Sequence, residues 1–100
     1  MSQRNRLEQF KAILHEQIPM LREHFSVATL EVFGSYVRHE EKTNSDLDIL
    51  VTFDKAPSIL KFMRLENHLS EVLGVKVDLV LKDSLKPAIG ERILREAEPV

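Results

Sequence analysis

Apolar residues in the first quarter of the chain recur every three or four positions. Leu7, Phe10, Ile13, Leu14, Ile18, Leu21 and Phe25 therefore share one stripe of a helix. Pro19 falls inside that stripe. It lacks an amide donor and its ring crowds the preceding turn, so a kink or a break is expected near Gln17–Ile18. The period then changes. Val27-Ala28-Thr29-Leu30-Glu31-Val32-Phe33 is rich in β-branched and aromatic residues and ends at Gly34, the pattern of a strand. Polar residues fill Arg38 to Asn44. A second strand is expected from Asp46 to Phe53, with Leu47, Ile49, Val51 and Phe53 on one face and Asp46, Asp48, Leu50 and Thr52 on the other.

Pro57-Ser58 opens a second helix whose buried stripe is Ile59, Phe62, Leu65, Leu69, Val72 and Leu73, with Gly74 placed to end it. A third strand follows at Val75–Leu81. Val75, Val77, Leu79 and Leu81 share one face; Lys76, Asp78, Val80 and Lys82 share the other. A last helix is expected from Pro87 to about Ala97, with Ile89, Ile93 and Leu94 facing inward. The order helix, strand, strand, helix, strand, helix predicts an α+β fold, a small mixed β-sheet flanked by helices. There is no repeat and no Gly/Ser/Pro-rich linker, so residues 1–100 read as a single domain.

Composition narrows the class. In 100 residues, 43% are hydrophobic and 30% charged, which suits a packed globule rather than a disordered chain. No apolar run approaches the roughly 18–20 residues that span a bilayer. The polar start, Met1-Ser2-Gln3-Arg4-Asn5-Arg6, is unlike a secretory signal, so the expectation is a cytoplasmic protein with no membrane contact. With no cysteine there is neither a disulfide framework nor a thiolate metal site. The net charge of −2 and the 6% of aromatics argue against direct nucleic-acid binding.

Candidate chemistry is concentrated in two short stretches. Asp46 and Asp48 lie two apart on a strand, so they leave the same face about 6.6 Å apart at ~3.3 Å per residue. If a neighbouring strand presents Asp78 on that face, three negative charges share a small patch. Each like-charge pair at ~4 Å costs on the order of 4 kcal/mol at an effective dielectric near 20. A divalent cation with a taste for hard oxygen ligands, such as Mg²⁺, reverses that sign. A lone Asp-x-Asp is more often the solvated face of a strand. Gly34-Ser35 adds to it: a glycine ending an apolar strand, followed by a small hydroxyl residue, makes a tight turn whose amides suit phosphate. Arg38 stands three residues further on, in reach of the same anion.

The run GSYVR (34–38) followed by SDLDILV (45–51), with Val77-Asp78-Leu79 as a third acidic strand, resembles the signature of the DNA polymerase beta superfamily. It is similar above all to that superfamily's minimal nucleotidyltransferase (MNT) antitoxins. The resemblance implies a DNA polymerase beta-like nucleotidyltransferase fold. It implies Gly34 and Ser35 as nucleotide-phosphate ligands, with Arg38 and Ser45 in support. It implies Asp46, Asp48 and Asp78 as catalytic and metal-binding carboxylates, Mg²⁺ as the cofactor in two ions, and ATP as the nucleotide substrate. It also implies a function: transfer of AMP to a hydroxyl, a tyrosine of a HEPN-type toxin protein, with which the antitoxin would form a hetero-oligomer. The chain departs from the family at His39, where many relatives have glycine, and at Glu98-Pro99-Val100, which lacks an aromatic ending.

A second reading stands beside this one: a catalytically weak or inactive MNT-fold binding module that neutralises a partner by contact. His15, His24, His39 and His68 show no metal-ligand spacing and read as surface residues. Tyr36 reads as a packing or partner-contact residue, and Lys76 and Lys82 as solvating charges near Asp78.

Overall fold

Among the described residues the alternation of apolar positions is realised in three helices and four strands. The computed structural model describes the backbone of residues 3–100 and the side chains from Arg6 onward; Met1 and Ser2 of the polar start lie outside the described residues. The elements run α1 (Gln3–Phe25), β1 (Val27–Phe33), β2 (Leu47–Phe53), α2 (Ile59–Leu73), β3 (Val77–Leu81), α3 (Pro87–Glu96) and β4 (Glu98–Pro99), with one 3₁₀ turn at Lys82–Ser84. The sheet order is β3-β2-β1-β4. β2 is antiparallel to β1 and parallel to β3, which makes the sheet mixed, and β4 is antiparallel to β1.

One face of the sheet carries the main core. Leu30 and Val32 of β1, Leu47, Ile49 and Val51 of β2, and Val77 and Leu79 of β3 pack against Leu7, Phe10, Leu14 and Leu21 of α1 and Leu65, Leu69 and Leu73 of α2. Each side chain buried this way contributes about 1.5–3 kcal/mol. The expected faces of β2 and β3 are observed, although β2 begins at Leu47 rather than Asp46 and β3 at Val77 rather than Val75. Leu50, on the acidic face, is also buried. It pairs with Glu31 on one side and Val80 on the other, and an ion pair (2.6 Å) from Lys82, just past the end of β3, reaches Glu31 of β1. Lys82 thus reaches across β2 to an inner strand rather than solvating Asp78.

Pro19 does not break α1. The helix continues from Gln3 to Phe25 with Pro19 exposed on its outer side. Leu14 and Leu21, on either side of it, are fully buried, and their packing outweighs the one backbone bond that proline removes. His68 is half-buried rather than a surface residue. Its ring stacks on Phe25 and its Nε2 lies 3.1 Å from Gln17 Oε1, joining α2 to α1.

α2 begins at Ser58, whose hydroxyl accepts from the Lys61 amide (3.2 Å), and ends at Gly74, whose amide donates to the Ser70 carbonyl (2.9 Å). Two of its side chains also serve β3. Glu66 Oε2 accepts from the Leu79 amide, and Ser70 Oγ accepts from the Val77 amide, both at 2.9 Å. These are the outward N–H groups of an edge strand, satisfied by side chains instead of a further strand.

The last 15 residues depart furthest from the pattern. Ile89 and Leu94 are 61% and 46% exposed instead of facing inward, and the buried residue of α3 is Gly90. A β-carbon at Gly90 would lie 2.9 Å from the Leu85 β-carbon, so the helix lies too close to its own approach for any side chain there. α3 ends at Glu96, one residue short of Ala97. The chain then adds β4, a strand the hydrophobic pattern does not announce, held by the Val100 amide to the Leu30 carbonyl (3.2 Å). No described helix is long and apolar enough to cross a membrane.

Replacing Glu66 with alanine strands the Leu79 amide. Stability is expected to fall by about 1–2 kcal/mol, read as a drop in Tm of roughly 4–8 °C per kcal/mol for a domain of this size. Glu66→Gln, which keeps an accepting oxygen, should recover most of the loss in the same thermal melt.

Candidate active site

β1 delivers the chain to Gly34, and the ladder fixes what Gly34 meets. Phe33 pairs with Asp48 across the antiparallel β1–β2 ladder, so the carboxylate of Asp48 lies beside the residue that follows Phe33. A β-carbon at Gly34 would overlap Asp48 Oδ2 and lie 2.9 Å from its Cγ. Gly34 also has φ +85°, a left-handed conformation that other residues adopt only at a cost. Close approach and backbone sign both require glycine here.

The chain then turns through residues 34–40. The Gly34 carbonyl accepts from the amides of Val37 (3.0 Å) and Arg38 (3.1 Å), and the Ser35 carbonyl accepts from Glu40 (2.8 Å). No regular helix starts at Ser35; the segment is a short run of turns. Its pivot, Tyr36, is 1% exposed and packs edge-on against Phe10 of α1 at 5.5 Å, so its reading as a packing residue fits its position. His39 takes φ +61°, again left-handed. A glycine would take this conformation freely, whereas a residue with a β-carbon pays about 1–2 kcal/mol for it.

The loop back into β2 is closed by Ser45. Its hydroxyl accepts from the Lys42 amide (2.7 Å) and its own amide donates to the Lys42 carbonyl (3.0 Å). Ser45 thereby fixes the loop immediately before Asp46. β2 begins at Leu47, so Asp46 sits just ahead of the strand, with Oδ2 4.0 Å from Lys76 Nζ in an exposed pair. Asp48 and Asp78 are direct partners in the parallel β2–β3 ladder. Paired residues on adjacent strands project from the same face, and strands lie about 4.8 Å apart. The structure therefore brings Asp48 and Asp78 together on one face, with Asp46 at the edge of the group.

The electrostatics follow. The Asp48 carboxyl is pushed up to about 6, first by burial, then by the negative charges of Asp78 and Asp46; Arg38 opposes the shift and Glu96 adds to it. Among the described residues, no three His, Cys, Asp or Glu side chains converge into a ready-made metal cage. The donor set nevertheless fits a hard divalent cation. Asp48 and Asp78 are adjacent oxygen donors with an uncompensated repulsion between them. Mg²⁺ characteristically takes one or two carboxylates and completes its shell with water and substrate phosphates.

Arg38 does not extend freely over the turn. Its Nε donates to Glu40 (2.7 Å) and its NH1 to Glu96 (2.8 Å), and both carboxylates raise its pKa further. The second oxygen of Glu96 accepts from the Gly34 amide at 2.7 Å. Sequence reasoning missed Glu96 and the rest of the α3 face. A cavity of about 470 Å³ lies between Phe33, Gly34, Arg38 and Asp48 on one side and Ile89, Arg92, Ile93 and Glu96 on the other. Those four α3 positions are spaced three, one and three apart, one face of a helix. The signal was present, but a face that alternates isoleucine with charge looks like a half-solvated core stripe.

This fold, with paired aspartates beside a glycine-serine turn, is that of a nucleotidyltransferase. Residues 14–100 match the nucleotidyltransferase domain family, and the chain belongs to it. Within that family it is a minimal nucleotidyltransferase. The protein adenylyltransferase MntA of Thermococcus cleftensis is 52% identical to it over 90 residues, covering 90% of this chain and 91% of the relative. A solved structure described as a minimal nucleotidyltransferase superposes with a TM-score of 0.75 at 35% identity, covering all of this chain and 97% of the other. A Shewanella oneidensis complex, of a tri-AMPylated HEPN toxin with its MNT antitoxin, shares the fold with a TM-score of 0.65 at 21% identity. There the match covers 90% of this chain and 70% of the other.

The raised pKa of Asp48 sets a pH dependence. A carboxyl whose pKa is higher folded than unfolded favours folding while protonated, and that contribution is lost as pH rises from about 4 through about 6. Asp48→Asn should therefore stabilise the ligand-free protein above pH 6 by about 1 kcal/mol once solvent screening of this half-exposed group is allowed for, read as a higher Tm. The gain should shrink below pH 6 and vanish near pH 4 in a pH series of thermal melts.

Proposed function

We propose that this protein transfers AMP from ATP to a tyrosine hydroxyl of a HEPN-type toxin, and that this modification makes it the antitoxin of a toxin–antitoxin pair. The observation that carries the reading is the Asp48–Asp78 pairing across the parallel ladder, beside a turn that only glycine can make. The kinship with a protein adenylyltransferase supports AMP as the transferred group, and the AMPylated HEPN toxin in the related complex supports the partner.

In this reading, Asp46, Asp48 and Asp78 would hold Mg²⁺. When bound, the metal supplies positive charge to the phosphates and to the attacking and departing oxygens. The Gly34 amide and the Ser35 hydroxyl, which bonds to no described residue, hold the terminal phosphates and align the triphosphate. The acceptor oxygen attacks the α-phosphorus. The bond from that phosphorus to the oxygen bridging to the β-phosphate breaks, and pyrophosphate leaves with the electron pair. Asp78, the more exposed of the paired aspartates, takes the hydroxyl proton directly or through one water. The protein contributes position and charge and forms no covalent intermediate.

The test is transfer itself. With ATP, Mg²⁺ and a cognate HEPN-type toxin, intact-mass measurement should show AMP added to the toxin, and peptide mapping should place it on tyrosine. The double variant Asp46→Asn/Asp48→Asn should lose transfer by at least about 10²–10³-fold, the scale of losing a main electrostatic group. If that variant neutralises the toxin as fully as the native protein, neutralisation by contact is the function and the transfer reading fails.

A further inference from the structure

Glu96 is an anomaly in an acidic site. Asp46, Asp48 and Asp78 already repel one another, and Glu96 adds to the pressure on Asp48. A fourth carboxylate is unfavourable there unless something holds it. What holds it is the Gly34 amide on one oxygen (2.7 Å) and the Arg38 guanidinium on the other (2.8 Å). An amide at a positive-φ glycine and a guanidinium four residues on make a two-pronged anion cradle of the kind that suits phosphate as well as carboxylate. Glu96 is well placed to fill it. Its side chain is only 15% exposed, and it is carried by the last residue of α3, immediately before β4 pins the chain to β1.

We infer that Glu96 is the built-in occupant of the phosphate cradle, a carboxylate that a nucleoside triphosphate must displace before it can bind. This inference rests on the nucleotidyltransferase reading of the site and extends it. The ligand-free protein is held closed by its own C-terminal segment. Binding exchanges one anion for another at Gly34 and Arg38, and the released Glu96 leaves with the α3 face that walls the 470 Å³ cavity. The attachment is breakable. Its holds are few: the two paired residues of β4, the Val100–Leu30 hydrogen bond, the Lys11–Glu98 ion pair (3.2 Å) and the packing of Val100, while α3 leaves Ile89 and Leu94 exposed.

The experiment compares native protein with Glu96→Gln, using a non-hydrolysable ATP analogue with Mg²⁺ and titration calorimetry. Glutamine keeps the length of the side chain but cannot carry the charge that Arg38 grips, so the analogue should bind on the order of tenfold more tightly to the variant. Equal or weaker binding by a folded Glu96→Gln, with measurable binding by the native protein, overturns the inference and leaves the nucleotide site standing. If neither folded protein binds the analogue, the nucleotide reading falls and takes the inference with it. A measurement on native protein alone guards against a variant that fails to fold. Hydrogen exchange across residues 88–100 should speed up several-fold when the analogue saturates the site; unchanged or slower exchange there overturns the inference.

Discussion

The contact between the Asp48 carboxylate and the backbone of Gly34 is the constraint around which the molecule is arranged. Asp48 is held by two ladders at once, antiparallel to Phe33 and parallel to Asp78. Its position is therefore fixed by backbone hydrogen bonds on both sides, and the turn after β1 must accommodate it. Only a residue without a β-carbon can pass. The same crowding brings a carboxylate, an amide donor and, through Arg38, a guanidinium within one small volume. A site that must handle phosphates needs just that mixture of signs at short range.

The arrangement is unfavourable for the isolated fold. Burial and two neighbouring carboxylates raise the Asp48 pKa, and the compensating cations are few: Lys76 reaches Asp46 at the limit of an ion pair, and Arg38 is shared between Glu40 and Glu96. The remainder of the chain offsets this with ordinary means. The face of the sheet opposite the aspartates is packed by two helices, and the aspartate face keeps only Phe33 and Leu50 well buried. Stability is placed on one side of the sheet and reactivity on the other.

How far the sequence disclosed this depended on the range of the interactions. β1 is found at its expected bounds, and α2 at its expected caps, because local signals define them: β-branched runs, Ser58 before the helix and Gly74 after it. The alternation of Leu47, Ile49 and Val51 against Asp46 and Asp48 was also legible, and so were Gly34-Ser35 and the aspartates as candidates. What escaped was non-local. The pairing of Glu98 and Pro99 with β1 has no periodic signature in two residues. The exposure of Ile89 and Leu94 follows from Gly90 lying against Leu85, which no stripe of apolar letters encodes. Propensity marks Pro19 for a kink or a break because propensity is local, whereas the packing of Leu14 and Leu21 that carries the helix through it is tertiary. Glu96 was invisible for a similar reason: it is 62 positions from the amide it caps.

The borders of the sheet carry a last consequence. Unsatisfied backbone on an outer strand is a template on which other chains can polymerise as cross-β stacks. Here one border has Glu66 and Ser70 in place of a neighbour, and the other ends in a two-residue strand containing Pro99, which has no N–H to offer. Both rims of the described sheet are thereby guarded against fibrillar growth.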